Sequence, residues 1–273
     1  MIPIDMKEKT VLITGGTKGI GLAIAKSFGE AGARTYLTYK WGSDDYSSLY
    51  EAFRKVDAPQ PVLIQADASL DEDTENLLAR IKEKEDKIDY FISNVGVAQR
   101  IVDLAEYKKR SLFKTLEYST WPLIEYTRKI KDCFGKYPQH IVGISSSGPD
   151  HFYPGYDFVA ASKVLLELFA KYISVYLFKE GGRVNVIRFG PVNTESFSLI
   201  FGNEFFEYLK ERKIPEEILI SPEECGKAVL ALCSGLLDAM NGQIITVDKG
   251  FNYQDNLMMH YFDWRSKKTK NKQ

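Results

Sequence analysis

The sequence predicts an α/β protein: a doubly wound parallel sheet of about seven strands with helices on both faces. Three observations carry this expectation. Short runs rich in β-branched and aromatic residues recur at intervals of about 30 residues. Helical patterns of apolar residues fill the intervals between them. No repeat, low-complexity linker or composition shift divides the chain, so residues 1–250 read as one domain and 251–273 as an extension with a basic end expected to be disordered.

The first strand, Thr10–Thr14, runs into Gly15-Gly-Thr-Lys-Gly-Ile-Gly21, and Leu22, Ala23, Ala25 and Phe28 then recur at helical spacing. Strand, glycine turn and helix in unbroken order suit a nucleotide pyrophosphate. The helix start offers free N–H groups and partial positive charge, and glycines let the phosphates approach the backbone. Gly15, Thr17, Lys18, Gly19, Ile20 and Gly21 are the candidate contacts; a plain structural turn is the bland alternative.

Arg34–Tyr39 is the second strand, with Lys40 at its tip. A carboxylate commonly holds the adenosine ribose there. Lys40, with Lys18 in the glycine turn, suits a 2′-phosphate instead, so NADPH is expected over NADH; two solvated surface lysines are the alternative. Pro61–Gln65 is the third strand, and Asp67 and Ala68 just beyond it read as adenine contacts, or Asp67 as a turn cap. A charged helix from about Asp71 to Glu85 follows, then a fourth strand, Ile88–Ser93, running into Asn94-Val-Gly96. Residues 100–134 are helical with a break at Trp121-Pro122, and Gln139–Ile144 is the fifth strand.

That strand ends in Ser145-Ser-Ser-Gly148, and a helix starting near Tyr156 carries Ala161-Ser-Lys163. With Gly190-Pro-Val-Asn-Thr194 and Asn241-Gly-Gln243 leading to Val247-Asp-Lys-Gly250, these pieces span about residues 8–250. Here the chain resembles the short-chain dehydrogenase/reductase family, whose Rossmann sheet binds a nicotinamide cofactor. Two departures stand out. Val159 fills the slot four residues before the lysine where the family's tyrosine usually stands, and Tyr156 stands seven before Lys163. Seven residues of helix rotate by about 700°, so Tyr156 and Lys163 can share a face. This Tyr-x6-Lys spacing, with Ser146 ten residues before the tyrosine, resembles the enoyl-acyl-carrier-protein reductase III branch. Where many members carry a relay asparagine, Tyr118 or Ser119 stands.

The resemblance implies that Tyr156 meets the substrate oxygen, Ser146 gives it a second hydrogen bond, and Lys163 holds the nicotinamide ribose. It also implies that Val192 and Thr194 meet the carboxamide and phosphates, with Asn94 and Gly96 lining the site. Charge that builds on an oxygen as hydride reaches carbon needs such a donor, and a nearby cation helps it. The expected function is NADPH-dependent reduction of an α,β-unsaturated acyl thioester. Reduction of a carbonyl such as a β-ketoacyl thioester is one alternative; a catalytically silent NADPH-binding protein is the other.

The helix from Tyr156 to Lys179 is apolar nearly all round, which suggests a homodimer or homotetramer. A sixth strand, Gly182–Arg188, precedes residues 195–220, where Phe197, Leu199, Ile200, Phe201, Phe205, Phe206, Tyr208 and Leu209 suggest a lid over an apolar substrate; an amphipathic helix packed on the body is the alternative. A helix from Pro222 to Leu236 follows, and the aromatic segment Phe251–Trp264 is expected to pack on a neighbouring subunit. A net charge of −1 gives no case for nucleic acid or an anionic membrane. Cys133, Cys225 and Cys233 fit no zinc spacing, and neither a signal-peptide layout nor a membrane-spanning run is present, so a cytoplasmic, metal-free protein is expected.

Overall fold

The computed structural model describes residues 3–42, 46–97, 99, 101, 103–202, 204–212, 214–253, 257–259, 261–262 and 264–265, without the side chains of 196 and 200. Seven parallel strands form one sheet: β1 Thr10–Ile13, β2 Arg34–Tyr39, β3 Val62–Gln65, β4 Tyr90–Ser93, β5 His140–Ser146, β6 Arg183–Phe189 and β7 Ile244–Val247. Their order is β3-β2-β1-β4-β5-β6-β7, so the direction of winding reverses between β1 and β4. In such sheets ligands bind beyond the strands' C-terminal ends at that reversal.

Alternation along each strand explains the two faces. Val11, Ile13, Leu37, Ile92, Val142 and Ile144 point to one core, shared with α1 (Gly19–Glu30), α2 (Ser47–Arg54) and α9 (Pro222–Leu232). Leu12, Tyr36, Phe91, Ile141, Val184 and Val186 point to the other, under α3 (Asp71–Lys82), α5 (Trp121–Phe134) and α6 (Asp157–Leu177). Each fully buried side chain of this size contributes about 1.5–3 kcal/mol.

The expected strands are present with shifted ends. The fifth runs two residues further than read, taking in Ser145 and Ser146, because it pairs with β6 through Ser146 and Phe189. The helix 47–54 had no counterpart in the sequence reading. The broken helical region resolves into a short 3-10 turn, Leu104–Glu106, then α4 (Lys109–Ser119) and α5, with Pro122 in the first turn of α5 where its missing N–H costs nothing. Helix α6 starts one residue after Tyr156, which serves as its N-cap, and gives way to a 3-10 turn at Phe178. The last long helix stops at Leu232, short of Leu236. Residues 195–220 form α7 (Glu195–Phe201), α8 (Glu204–Arg212) and a 3-10 turn, Glu216–Ile218. In the extension, Phe251–Tyr253 is a 3-10 turn, and residues 266–273 of the basic end lie outside the described residues. Among the described residues no helix is long and apolar enough to cross a membrane, and no His/Cys/Asp/Glu group is placed to hold a metal.

Candidate active site

The glycine turn lies between β1 and α1. Gly15 and Gly19 have φ of 63° and 55°, a region that favours glycine, and a Cβ on Gly21 would stand 2.3 Å from the Gly15 carbonyl oxygen. Thr17 is half-buried in the turn, and Ile20 packs against the core. No side chain caps α1 at Lys18 and no acidic residue stands in its first turn. The start of the helix therefore presents N–H groups and positive partial charge to any anion placed there. Asn94 spends its amide on this turn, donating to the carbonyl oxygens of Thr14 at 2.9 Å and Gly15 at 3.1 Å. The Cβ position of Gly19 is 3.9 Å from Thr194 Cγ2, so the start of α7 closes the cradle; Thr194 also caps α7 by accepting from the Phe197 N–H. Val192 is buried and bridges to Ile220. These features fit a dinucleotide pyrophosphate.

At the adenosine end, the expected cation and the expected base contact bond to each other. Lys40 Nζ stands 2.5 Å from Asp67 Oδ2 and also donates to the Tyr118 hydroxyl, which in turn donates to Asp67 at 3.0 Å. The bond to Asp67 raises the Lys40 ammonium above its usual range. Burial opposes ionisation of Asp67, yet bonds from Lys40, Ser69 and Tyr118 hold its carboxyl below the usual range. Lys40, Trp41, Gln65, Asp67 and Asp73 line a cleft of about 470 Å³ beside the buried Ala68. Lys18 is 73% exposed and reaches Glu195 at 3.6 Å, a pair worth little in water. Tyr118, noted in the sequence only as one of two residues standing where a relay asparagine is usual, lies at this end instead, with Lys40 Nζ 4.8 Å from its ring centroid.

At the other end, the last residues of β5 gather the chemistry. Lys163 Nζ donates to the Ile144 carbonyl at 2.8 Å, and the Tyr156 hydroxyl donates to Ser146 Oγ at 3.1 Å. Lys163 is 8% exposed; burial pulls its ammonium down to about 8, partly opposed by the Glu167 carboxylate. Burial pushes the Tyr156 phenol up, with the Ser146 bond working against it, so Tyr156 is a neutral donor at neutral pH. Gly148 makes room for the tyrosine, since a Cβ there would be 2.6 Å from Tyr156 Cε1. Ser119 occupies the place beside Gly96: its Oγ accepts from the Val97 N–H at 3.1 Å and lies 3.4 Å from the Cβ position of Gly96, with Lys163 Nζ 3.7 Å from the same point. Val159 is buried, so the usual tyrosine slot is core.

Aromatic rings from α7 and α8 cover this end. Phe201 stacks on Tyr156 with centroids 6.3 Å apart, Tyr153 meets both rings edge-on, and Phe197 joins Phe201 to Phe205. Tyr153, whose hydroxyl is 3.0 Å from Ser147 Oγ, escaped the sequence reading; a second tyrosine three residues before the first was its signal.

Residues 15–252 match the family model described as Enoyl-(Acyl carrier protein) reductase. The enoyl-[acyl-carrier-protein] reductase [NADH] FabI of Aquifex aeolicus is 27% identical over 258 residues, covering 90% of this chain and 92% of that protein. FabI of Bacillus subtilis, of the same description, is 27% identical over 258 residues, covering 91% and 97%. A dehydrogenase/reductase from Sinorhizobium meliloti shares the fold with a TM-score of 0.80 at 22% identity, covering 91% of this chain and 96% of that one. A family match running from the glycine turn past the last strand makes the chain a member of the enoyl-acyl-carrier-protein reductase group of short-chain dehydrogenase/reductases, a family of nicotinamide-dependent oxidoreductases.

Proposed function

We propose that the protein reduces the carbon–carbon double bond of an α,β-unsaturated acyl thioester, with NADPH as reductant. The carrying observation is the Tyr156 hydroxyl resting on Ser146 at the Tyr-x6-Lys spacing, in a chain whose matched relatives include the enoyl reductases named above. Gly15, Gly19 and Gly21 with the start of α1 would hold the pyrophosphate, Asp67 and Ala68 the adenine, and Val192 and Thr194 the nicotinamide half. Lys163 would hold the nicotinamide ribose, with Gly96 beside it. When bound, the reduced nicotinamide supplies a hydride for the substrate's β-carbon.

The chain's own residues manage the charge that results. Negative charge gathers on the thioester oxygen, and Tyr156, kept protonated by burial, donates to it. Ser146 holds the phenol in place beforehand and offers a second hydroxyl. Lys163, its ammonium pulled down to about 8 by burial, favours charge on the oxygen side of the site when cationic. The rings of Phe197, Phe201 and Phe205 act as a lid that excludes water and faces an acyl chain, free or carrier-bound.

NADPH is preferred over the NADH of the named relatives because Lys40 stands at the tip of β2, where a carboxylate commonly holds the adenosine ribose. The apolar outer side of α6, with Val164, Leu168, Tyr172, Val175 and Tyr176 exposed, supports a homodimer or homotetramer. Reduction of a β-keto thioester is the second reading, since Ser146 and Tyr156 would serve an alkoxide equally. NADPH consumption with crotonyl- and acetoacetyl-thioesters side by side decides: turnover of the first supports enoyl reduction, and turnover of the second alone overturns it.

A further inference from the structure

Behind the active site lies a cluster of charge that the reaction as described does not use. Glu167, one helical turn past Lys163 on α6, is buried, and Arg188 on β6 is nearly so. The β5–β6 register sets Ser145 beside Arg188, on the face that Val184 and Val186 turn towards α6. Glu167 Oε1 accepts from Ser145 Oγ and from Arg188 Nε, both at 2.6 Å, and Oε2 accepts from Arg188 Nη2 at 2.6 Å. The two-pronged pairing fixes the guanidinium plane. Its remaining nitrogen, Nη1, donates to Asp150, in the loop between Ser146 and Tyr156.

That loop needs an anchor. Its other side-chain hydrogen bonds run back to its own start: Tyr153 and His151 to Ser147, and Tyr156 to Ser146. The bond from Arg188 ties it to a neighbouring strand. Buried ion pairs add little stability over apolar residues of the same volume, so this one is better explained by what it orients. We propose that Glu167 and Arg188 are the positioning residues of the active site, fixing the end of β5 through Ser145 and the tyrosine-bearing loop through Asp150. The proposal rests on the reading of Tyr156 as the catalytic hydroxyl.

Asp150 is 59% exposed, so Asp150→Ala cuts the tether without opening the core. Hydrogen–deuterium exchange over residues 147–156 should quicken in this variant while the melting temperature holds. Its kcat should fall about tenfold with cofactor affinity unchanged, as expected for a misplaced reacting group. In a Tyr156→Phe background the same substitution should cost nothing further, because its effect passes through that hydroxyl. Arg188→Lys should keep more activity than Arg188→Met. Unchanged exchange in Asp150→Ala overturns the proposal, as does an equal loss of kcat with and without the Tyr156 hydroxyl. A parent enzyme that leaves enoyl thioesters untouched refutes the functional reading instead, and the exchange measurement still decides whether the tether exists.

Discussion

The Tyr156 hydroxyl stands 3.1 Å from Ser146 Oγ although the tyrosine caps its helix rather than lying within it. A cap residue with φ of −108° and ψ of 5° swings its ring away from the helix and onto the end of β5. Tyr156→Phe should therefore keep the stacking on Phe201 and lose one donor. Loss of such a donor lowers kcat about a hundredfold to a thousandfold, while the cofactor dissociation constant stays within about twofold. Val159→Tyr should not restore activity, because its slot is buried core and the added ring would cost about 1–3 kcal/mol. Steady-state kinetics and a separate cofactor titration check both; an unchanged rate in Tyr156→Phe refutes the assignment.

Lys163 makes stability depend on pH. Its amine titrates near 8 when folded and near 10.5 otherwise. Between those values the unfolded chain holds a proton that the folded one lacks, so stability rises with pH across that window. Below pH 8 the penalty of the buried ammonium is fully present, about 3 kcal/mol. Lys163→Met removes it but forfeits the bond to the Ile144 carbonyl, worth about 1 kcal/mol. At pH 7 this variant should be about 2 kcal/mol more stable than the parent, with the gain gone by pH 10.5, and inactive. Urea unfolding at both pH values tests this; a variant less stable at pH 7 would contradict it.

On the NADPH reading, cofactor choice turns on Lys40. A 2′-phosphate must draw its ammonium away from Asp67, so the free-state pair and the cofactor compete for one cation. Replacing Lys18 and Lys40 with Ala should weaken NADPH about tenfold to a hundredfold per contact and NADH far less. In the parent, Asp67→Asn, which releases Lys40, should tighten the phosphate contact and so favour NADPH over NADH, while weakening the adenine contact for both. Equal losses for both cofactors in a fluorescence titration would disprove the role of the lysines.

The outward side of α6 predicts assembly. Val175 and Tyr176 are 73% and 74% exposed, beside Leu168 and Tyr172. Light scattering at micromolar concentration should give at least twice the chain mass, and Val175→Asp should return a monomer. A monomeric parent would rule out this surface as a stable interface.

Much of this arrangement can be read in the chain itself, and the reasons differ by residue. The glycine turn is visible because strand, glycines and helix are contiguous, so local pattern and local structure coincide. Ser146, Tyr156 and Lys163 are visible because their spacing matches a known family. Glu167 and Arg188 stand 21 residues apart on a helix and a strand, and the packing of α6 on β6 makes them neighbours. An acid in the middle of an apolar helix and a cation near the end of an apolar strand were the available signal. Lys40 looked like a waiting phosphate ligand because sequence carries no sign that Asp67 and Tyr118 fold over onto it.

Ser145 and Ser146 are chemically identical and adjacent, yet they serve opposite sides of the sheet. Odd and even positions along β5 have different jobs: Ser145 bonds to Glu167, and Ser146 bonds to Tyr156. Parity, not residue type, is what this strand end transmits. Adding or removing one residue between His140 and Ser145 would leave the serine run intact in composition while exchanging which hydroxyl faces the substrate and which faces the scaffold. A stretch of small polar residues at the rim of a sheet, ordinarily tolerant of length changes, is here as intolerant of them as the core.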